Sequence, residues 1–446
     1  MEDFELEHCP EIVIFNSPLY HDSYDDGESY LPPLGQGYIV TSLRQRGIEA
    51  SLVDCVYNKM GVSDVISFIN SGSFNLVGFN VFSVNLDIIR EILIGIRRKI
   101  HIYIGGKATE YVWKEIANWR IGHLTTFIIG EGELIFPHLL LNTCSEAPIF
   151  VDGINAVYRV DQNSIYYPSD LDRLTIDRRI FYGREIVNRF NRLESCIITS
   201  RGCIYDCAFC GGAKSSNPYI SVRTRSSESI KHEINYILTD NPYVNSIRIL
   251  DDLFLRNKQS IETATQIFSS FPELHWRCMA HINTFTTVDK ELISLKNSGC
   301  DEVFVGIESG SSEIRSRINK TGSIDQVICA VTKILSAGID VKGYFICGFP
   351  GETLPQISET VELATLLKKI SKSMRGSFRT VAFQFRPYHG TKLYTDVLER
   401  RGEITYSNYR DLTSSKRQYN FSAGNFSQVS DAELKKAIDS ILLLNN

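Results

Sequence analysis

The sequence predicts an α/β protein with two parallel sheets: an N-terminal doubly wound, Rossmann-like sheet, then a partial (β/α)6 barrel of the TIM type. Three observations support this class. Short apolar, β-branched runs alternate with helical patterns along the 446 residues. Hydrophobic residues make up 43% of the chain, enough for more than one core. Finally, the strands fall into two series, which are separated by a polar, turn-rich stretch.

The first series predicts a domain over residues 1–150. A helical pattern over 35–47 stops at Gly47, and a second helix is predicted over 86–98. The polar stretch 151–190 is interpreted as a connector. The strands of the first series are predicted at 11–18, 49–54, 75–83, 100–106 and 125–133.

The second series predicts a barrel domain over residues 191–395, followed by a helical cap over 396–446. A helical segment lies between each pair of strands, so we expect the chemistry at the carboxyl ends of the strands. The first strand leads directly into a cysteine-rich stretch. The six strands are predicted at 195–200, 246–252, 275–280, 302–309, 341–348 and 381–387.

Charge and cysteine content narrow the class of protein. The formal net charge is -5, which gives no reason to expect nucleic acid or anionic lipid as a partner. No apolar run approaches the roughly 18 residues of a membrane-spanning helix, and the acidic start does not look like a secretory signal. Disulfide frameworks belong to small domains in oxidising compartments, and a chain of 446 residues with eleven cysteines is not of that kind. We therefore expect a cytoplasmic protein whose thiols are reduced.

The stretch "SRGCIYDCAFCGG" (200–212) holds three cysteines, Cys203, Cys207 and Cys210. Structural zinc takes four ligands, usually in two pairs, and no second pair of that spacing exists in the sequence. A redox pair would need only the last two cysteines. Three thiolates suit an iron-sulfur cluster of the cubane type in which one iron stays open to a ligand that is not protein. An open metal position is typical of a site that does chemistry.

The pattern C-x3-C-x2-C, with Phe209 before the last cysteine, resembles the signature of the radical S-adenosylmethionine (SAM) superfamily. The resemblance implies that Cys203, Cys207 and Cys210 bind a 4Fe-4S cluster whose open iron binds the methionine moiety of SAM. In that family an electron from the cluster splits the sulfonium and gives a 5'-deoxyadenosyl radical.

Further motifs follow in the order of the family, and the resemblance implies SAM contacts on them. In "ILDDLF" (249–254) either Asp251 or Asp252 would receive the ammonium of SAM. In "VGIESGS" (305–311) Glu308 and Ser309 would contact its ribose or methionine end. In "GYFICGFPGET" (343–353) the implied contacts with adenine are made by the backbone at Gly348 and Gly351.

The N-terminal domain is similar to the cobalamin-binding domain that many members of this superfamily carry. Glycines after its strands would let a flat cofactor approach the sheet edge. The D-x-H-x-x-G motif that supplies a histidine to cobalt elsewhere is absent. The residues implied for cobalamin are Gly35, Ser83, Gly105, Gly106, Gly130, Glu131 and Gly132.

Two histidines mark departures from the family pattern, His281 after the third barrel strand and His389 near the sixth. We interpret both as pocket wall or surface, with an acid-base role as the alternative. Catalytic residues beyond the cluster are not predicted.

The resemblance favours a radical SAM enzyme that uses methylcobalamin to methylate an unactivated carbon of a small metabolite. Cobalamin-independent oxidation, rearrangement, cyclisation or methylthiolation is the alternative within the enzyme class. A non-catalytic iron-sulfur carrier or sensor is the alternative outside it. The expected partners are a small-molecule substrate and a flavodoxin- or ferredoxin-type electron donor, with no nucleic acid and no membrane. The oligomeric state is not predicted.

Overall fold

The computed structural model describes residues 11–18, 30–401 and 424–446. These residues form two compact units. The first unit contains 11–18, 30–184 and 218–221, and the second contains 185–217, 222–401 and 424–446. The predicted domain boundaries stay predictions. No helix in the described ranges is long and apolar enough to cross a membrane.

The first unit is built on one seven-stranded sheet with the order β2-β1-β3-β4-β5-β7-β6, in which only β6 is antiparallel to its neighbour. Its strands are β1 (Glu11–Asn16), β2 (Glu49–Asp54), β3 (Leu76–Asn80), β4 (His101–Gly105), β5 (Leu124–Gly130), β6 (Phe150–Val151) and β7 (Asn155–Val160). Its helices are α1 (Leu34–Gln45), α2 (Val62–Ser71), α3 (Leu86–Gly95), α4 (Thr109–Asn118) and α5 (Ile135–Leu140).

Both faces of this sheet are covered, as the apolar strands require. Ile12 and Ile14 of β1 pack with α1 and α5 in one core, whereas Val13 and Phe15 pack with α2, α3 and α4 in another. The doubly wound sheet is therefore confirmed. The chain passes from β1 to β2 on one side and reaches β3 on the other, so the strand order reverses between β1 and β3.

Some limits differ from those predicted. Strands β1 and β3 end at Asn16 and Asn80, two and three residues earlier than the apolar runs suggested, because polar side chains there bond to each other. Within the stretch interpreted as a connector, β7 joins the sheet in parallel register with β5.

The second unit holds a curled sheet with the order β16-β15-β14-β13-β12-β9-β8. The first six of these strands are parallel, whereas β8 is antiparallel to β9. A small antiparallel ladder, β10 with β11, stands apart. The strands are β8 (Ile186–Val187), β9 (Leu193–Ile197), β10 (Ser200–Arg201), β11 (Arg223–Thr224), β12 (Ser246–Ile249), β13 (His275–Ala280), β14 (Cys300–Glu308), β15 (Asp340–Cys347) and β16 (Phe378–Gln384).

The outer face of this sheet packs against helices, which confirms the partial barrel. Ile247, Val303 and Val341 belong to the continuous core with those helices. The opposite face carries side chains such as Lys342 and Tyr344, which alternate along β15 with fully buried residues and are themselves only half-buried. The helices are α6 (Ser227–Asp240), α7 (Lys258–Phe268), α8 (Lys290–Asn297), α9 (Ser312–Arg317), α10 (Ile324–Ser336), α11 (Leu354–Ser371), α12 (Lys392–Arg401) and α13 (Asp431–Leu443).

The last helix, α13, completes the core of the second unit. Leu434, Ile438 and Ile441 pack into it. The Thr380 hydroxyl of β16 donates to the carbonyl of Ile441 at 2.6 Å. Residues 402–423 of the predicted cap lie outside the described residues.

Candidate cluster and cofactor sites

The three cysteines lie in one loop at the carboxyl end of β9, directly after β10. The backbone N–H of Tyr205 donates to Cys203 Sγ at 3.5 Å, and that of Gly212 donates to Cys210 Sγ at 3.3 Å. The N–H of Cys210 donates to the carbonyl of Cys207 at 3.1 Å, so the last two cysteines share a turn. Backbone donors aimed at sulfur stabilise a thiolate, which is the form that binds metal.

The loop is fixed from two sides through Ala208. The N–H of Ala208 donates to the carbonyl of Ile318 at 2.9 Å, and its carbonyl accepts from the N–H of Leu393 at 3.0 Å. The Phe209 ring meets Phe349 edge-on, with the centroids 5.8 Å apart. The aromatic residue of the signature therefore packs the cysteine loop against the loop that follows β15.

Burial determines the protonation state of these thiols. It raises the pKa of Cys210 to about 11, and it also raises the pKa of Cys203 and Cys207, although the charge of Lys320 opposes it at both. Cluster binding must therefore displace protons. No group of three or more His, Cys, Asp or Glu side chains in the described ranges is arranged to hold a single metal ion. A cubane cluster does not require its ligands to meet at one ion, because each thiolate binds a different iron. Three thiols in one anchored loop are therefore suitable ligands for such a cluster.

The two aspartates at the end of β12 have different surroundings. Asp251 is 2% exposed, and its carboxylate accepts from the Thr199 N–H at 2.7 Å and the Ser200 hydroxyl at 2.6 Å. Burial outweighs these bonds and raises the pKa of Asp251. Asp252 is exposed, and its carboxylate lies beside Gly212 and close enough to influence the Cys210 thiol. Asp251 thus holds the base of the cysteine loop through its hydrogen bonds to Thr199 and Ser200. The exposed position of Asp252 favours that residue as the partner of a cationic ligand.

Glu308 ends β14 in a left-handed conformation, with φ of 66°. Its carboxylate pairs with Lys320 at 3.1 Å, and both side chains are more than nine-tenths buried. The carboxylate folds over Gly306, where a Cβ would lie 2.2 Å from Glu308 Oε1. Lys320 was not predicted from the sequence, because "INKTGS" (318–323) carries no spacing that distinguishes it from an ordinary turn.

A buried arginine holds the backbone around Glu308. Arg315 is 3% exposed and donates to the carbonyls of Ile307 at 2.5 Å and Ser309 at 3.3 Å. It also donates to the carbonyl of Gly322 at 2.7 Å. The strained turn at Glu308 is therefore fixed by a cation, which sequence reasoning also missed.

Ser309 is fully buried, and its hydroxyl lies 3.1 Å from the Thr360 hydroxyl and accepts from the Ser311 N–H. This places Ser309 as a link between the loop after β14 and helix α11. Its predicted contact with SAM stays a prediction, and these bonds account for the residue without one.

The loop after β15 depends on two glycines and on Glu352. Gly348 has φ of 90° and Gly351 has φ of 72°, values that L side chains rarely adopt. Glu352 is fully buried, and its Oε2 accepts from the N–H groups of Gly348 at 2.6 Å and Phe349 at 3.0 Å. Its Oε1 has no hydrogen-bond partner in the described part of the chain. Burial raises the pKa of Glu352 to about 7.

Both histidines are enclosed and neutral. The His281 ring stacks on Tyr205 of the cysteine loop, with the centroids 3.8 Å apart, and its Nδ1 accepts from the Asn283 N–H. Burial, with the charges of Lys320 and Arg315, lowers the pKa of His281 to about 3. Burial lowers the pKa of His389 to about 4. These surroundings favour the interpretation of the two histidines as pocket wall over an acid-base role.

In the first unit, polar side chains gather where β1, β2 and β3 end. Asn16 Nδ2 donates to Asp54 Oδ1 at 2.8 Å, and the Ser17 N–H donates to Asn80 Oδ1 at 2.7 Å. Tyr30 donates its hydroxyl to Asp54 Oδ2 at 2.6 Å. This cluster was not predicted, because each residue ends a different strand and only the topology brings them together.

The glycines predicted for cobalamin fall into two groups. Gly106 and Gly130 have φ of 100° and 92°, and a Cβ there would lie 2.6 Å from Val81 N and 2.2 Å from Val160 O, so the fold itself requires glycine. Gly35 has open space, and at Gly105 a Cβ would meet only Ile128 O at 3.8 Å. The remaining predicted residues are Gly132, with ordinary contacts, the buried Ser83 and the half-buried Glu131.

Space at the end of β4, next to a sheet edge where the strand order reverses, fits a flat cofactor. The observation behind this fit is Gly105, where packing does not demand a glycine and where a side chain would occupy that space.

Two models of known protein domains match this chain. The model of the radical SAM superfamily matches residues 197–364, and the model of the B12 binding domain matches residues 25–140. An uncharacterized methyltransferase of Pyrococcus horikoshii is 26% identical over 399 residues, which cover 87% of this chain and 81% of that relative.

Two solved structures share the fold. The radical S-adenosylmethionine methyltransferase TsrM of Kitasatospora setae, with cobalamin and a 4Fe-4S cluster bound, has a TM-score of 0.62 at 18% identity and covers 88% of this chain and 78% of its own. The cobalamin-dependent S-adenosylmethionine radical enzyme OxsB, with aqua-cobalamin and SAM bound, has a TM-score of 0.65 at 16% identity, over 92% of this chain and 66% of its own. The predicted cofactors, a 4Fe-4S cluster, SAM and cobalamin, are those of the two matched domain families. The chain therefore contains a radical SAM domain, and a B12-binding domain precedes it.

Proposed function

We propose that this protein is a cobalamin-dependent radical SAM methyltransferase that methylates an unactivated carbon of a small molecule. The observation that carries the proposal is the presence, in one chain, of an anchored three-cysteine loop at the mouth of a half barrel and a B12-binding domain. The similarity to an uncharacterized methyltransferase over most of both chains supports the same reaction class.

Cys203, Cys207 and Cys210 would hold the 4Fe-4S cluster. When bound, the cluster and SAM supply a 5'-deoxyadenosyl radical that removes a hydrogen atom from carbon, and methylcobalamin supplies the methyl group. We assign Asp252 to the ammonium of SAM, because Asp251 is already bonded to the loop base. The turn at Gly348 and Gly351 stays the proposed contact for adenine, and Glu352, which accepts from the Gly348 N–H, would fix the geometry of that turn.

The second unit's own residues would protect a reactive species. Glu308 and Lys320 neutralise each other beside the cysteine loop, so no unpaired charge draws water to that position. Phe209 and Phe349 add an apolar wall. In the first unit, Gly35 and Gly105 would let the cofactor approach the sheet edge. We further propose a flavodoxin- or ferredoxin-type electron donor, and a cytoplasmic location stays a prediction.

Anaerobic reconstitution with iron and sulfide, followed by dithionite and SAM, tests the first part of this proposal. We expect 5'-deoxyadenosine from the wild-type protein and none from Cys207→Ala, while the matched control Cys329→Ala, which removes an exposed thiol, keeps the wild-type rate. A non-catalytic carrier would give no 5'-deoxyadenosine in any variant, which would refute the enzyme assignment.

The second part is tested by producing the protein with cobalamin supplied and recording its absorption. A stoichiometric corrinoid band supports methyl transfer. A protein that forms 5'-deoxyadenosine but retains no corrinoid would instead perform a cobalamin-independent reaction such as oxidation, rearrangement, cyclisation or methylthiolation.

A further inference from the structure

The inner face of the half barrel carries an arginine that the cofactor chemistry leaves unexplained. Arg248 lies on β12, where it pairs in register with Cys196 of β9 and Arg277 of β13. Residues paired in parallel register point to the same side of a sheet. The outward neighbours Ile247 and Ile249 are at most 1% exposed within the core, whereas Arg248 is half-buried. The guanidinium therefore enters the lumen of the barrel.

Level with Arg248 and toward the amino ends of the strands, the buried charges are already paired. Arg277 is fully buried and donates to Glu194 Oε2 at 2.7 Å and to Glu302 Oε2 at 3.1 Å. Glu302 also accepts from Arg379 at 2.5 Å and Arg189 at 3.0 Å. The carboxylates of Glu194 and Glu302 are thus already paired with arginines other than Arg248.

Arg248 itself lies over an aromatic ring. Its guanidinium carbon is 4.9 Å from the centroid of Phe304, and the guanidinium has no hydrogen-bond or ion-pair partner in residues 11–18, 30–401 or 424–446. Lys342 of β15 approaches the same ring, with Nζ at 5.7 Å, and it lies 5.4 Å from the centroid of Tyr344. Arg277 also lies over this ring, at 5.4 Å from the centroid, so cations from three strands converge on Phe304. Of these, Arg277 is already paired with carboxylates.

An arginine that only filled space would be expected to pair with a carboxylate, because a half-buried guanidinium with no acceptor loses hydration without replacing it. The fork of N–H donors matches the two oxygens of a carboxylate or phosphate. Tyr344 is the neighbouring acid group, and burial raises its pKa, so it stays neutral and does not supply the missing negative charge.

We propose that Arg248, assisted by Lys342, binds an anionic group of the substrate, a carboxylate or a phosphate, at the bottom of the barrel lumen. This deepens the proposed function and rests on it in one respect, namely that the substrate occupies the lumen of this unit. A substrate held by its anionic end there extends its other end toward the carboxyl ends of the strands, where the cysteine loop lies. The carbon that reacts is therefore remote from the anionic group.

The test is direct binding to the full-length, reconstituted protein, measured by titration calorimetry at constant ionic strength. The probes are inorganic phosphate and malonate, with malonamide as the neutral analogue of malonate. We expect saturable binding of one anion, no binding of malonamide, and at least about a tenfold weaker affinity in Arg248→Gln, since a charged hydrogen bond contributes about 1.5–3 kcal/mol. The phosphate and malonate arms distinguish the two sources of the anionic group.

Arg375→Gln is the matched control, because it removes the same charge from an exposed position in the same unit and should bind as wild type. Equal affinity in Arg248→Gln and wild type would overturn the proposal, and so would the absence of saturable binding of both anions. If Arg248→Gln does not fold, Arg248→Lys and Lys342→Met take its place, the first expected to retain part of the affinity and the second to lose it. Because binding is measured without turnover, a protein that binds an anion through Arg248 but forms no 5'-deoxyadenosine contradicts the proposed function and not this site.

Discussion

Lys320 Nζ lies 3.1 Å from Glu308 Oε1, and the two side chains are only 7% and 8% exposed. The pair sits beside the cysteine loop, since both charges influence the Cys207 thiol. The carboxylate precedes α9 and the cation follows it, so the pair joins the two ends of this short helix beside the cysteine loop.

Replacement of Lys320 by methionine should leave the Glu308 carboxylate buried without a cation. We expect the free energy of unfolding to fall by about 3 kcal/mol or more. Glu308→Gln in the same chain should recover part of the loss. Urea unfolding of the cluster-free protein measures both. Lys258→Met is the control, because its pair with Glu291 lies at the surface, where water screens the charges and the pair contributes little. A Lys320→Met protein as stable as wild type would show that the pair contributes nothing.

The adjacent aspartates should separate stability from cofactor binding. Asp251→Asn keeps the shape but loses acceptor capacity for the Thr199 and Ser200 donors, so we expect a loss of about 2 kcal/mol in the free energy of unfolding. Asp252→Asn, at an exposed position, should cost less than this on unfolding and should weaken SAM binding about tenfold or more, as measured by equilibrium binding to the reconstituted protein. The reverse pattern would exchange the two assignments.

Glu352 should make stability depend on pH near neutrality. Burial raises its folded pKa to about 7 from 4.5, so the folded protein keeps a proton that the unfolded chain releases. The stability that this proton gives is complete below pH 4.5 and is lost as the pH rises toward 7. Between these values the wild-type free energy of unfolding, relative to Glu352→Gln, should fall by about 1.4 kcal/mol per pH unit.

Urea unfolding of the two proteins at several pH values in that interval gives the slope. Glu359→Gln, an exposed change on the following helix α11, should run parallel to wild type. Parallel curves for wild type and Glu352→Gln would mean that the carboxyl ionises normally.

The glycines of the first unit should divide into structural and cofactor-facing positions. Gly106→Ala places a Cβ 2.6 Å from Val81 N at φ of 100°, so we expect a loss of about 1–3 kcal/mol on unfolding. Gly105→Ala meets nothing closer than 3.8 Å and should unfold as wild type. If cobalamin lies over this edge, Gly105→Ala should retain less corrinoid, measured by absorption after gel filtration. Full retention would place the cofactor elsewhere.

Much of the architecture could be predicted because it depends on local patterns. The strands of the first sheet are buried on both faces and are continuous apolar runs, whereas those of the second are apolar chiefly on the face toward the helices, and both patterns were recognisable in the sequence. Cys203, Cys207 and Cys210 are close in sequence, and one loop brings them together regardless of the rest of the fold.

What escaped prediction depends on contacts between distant segments. Lys320 and Arg315 acquire their positions from the crossover after β14, and neither has a sequence spacing tied to the cysteines. The sequence could not choose between Asp251 and Asp252, because the choice depends on which carboxylate turns toward Thr199. From the sequence, Gly106 and Gly130 were predicted to face the cofactor. In the structure a Cβ at either position would collide with backbone from another part of the sheet, so packing alone explains the glycine.

Ala208, in the middle of the signature, has no functional group, but its backbone joins two remote segments through Ile318 and Leu393. The thirteen-residue peptide of the signature is therefore not a portable metal-binding cassette. Grafted alone onto another barrel, it would lack both tethers and would present its sulfurs at unfixed spacings. Engineers who wish to transplant this chemistry must carry across the crossover after the fourth parallel strand and the segment after the sixth as well.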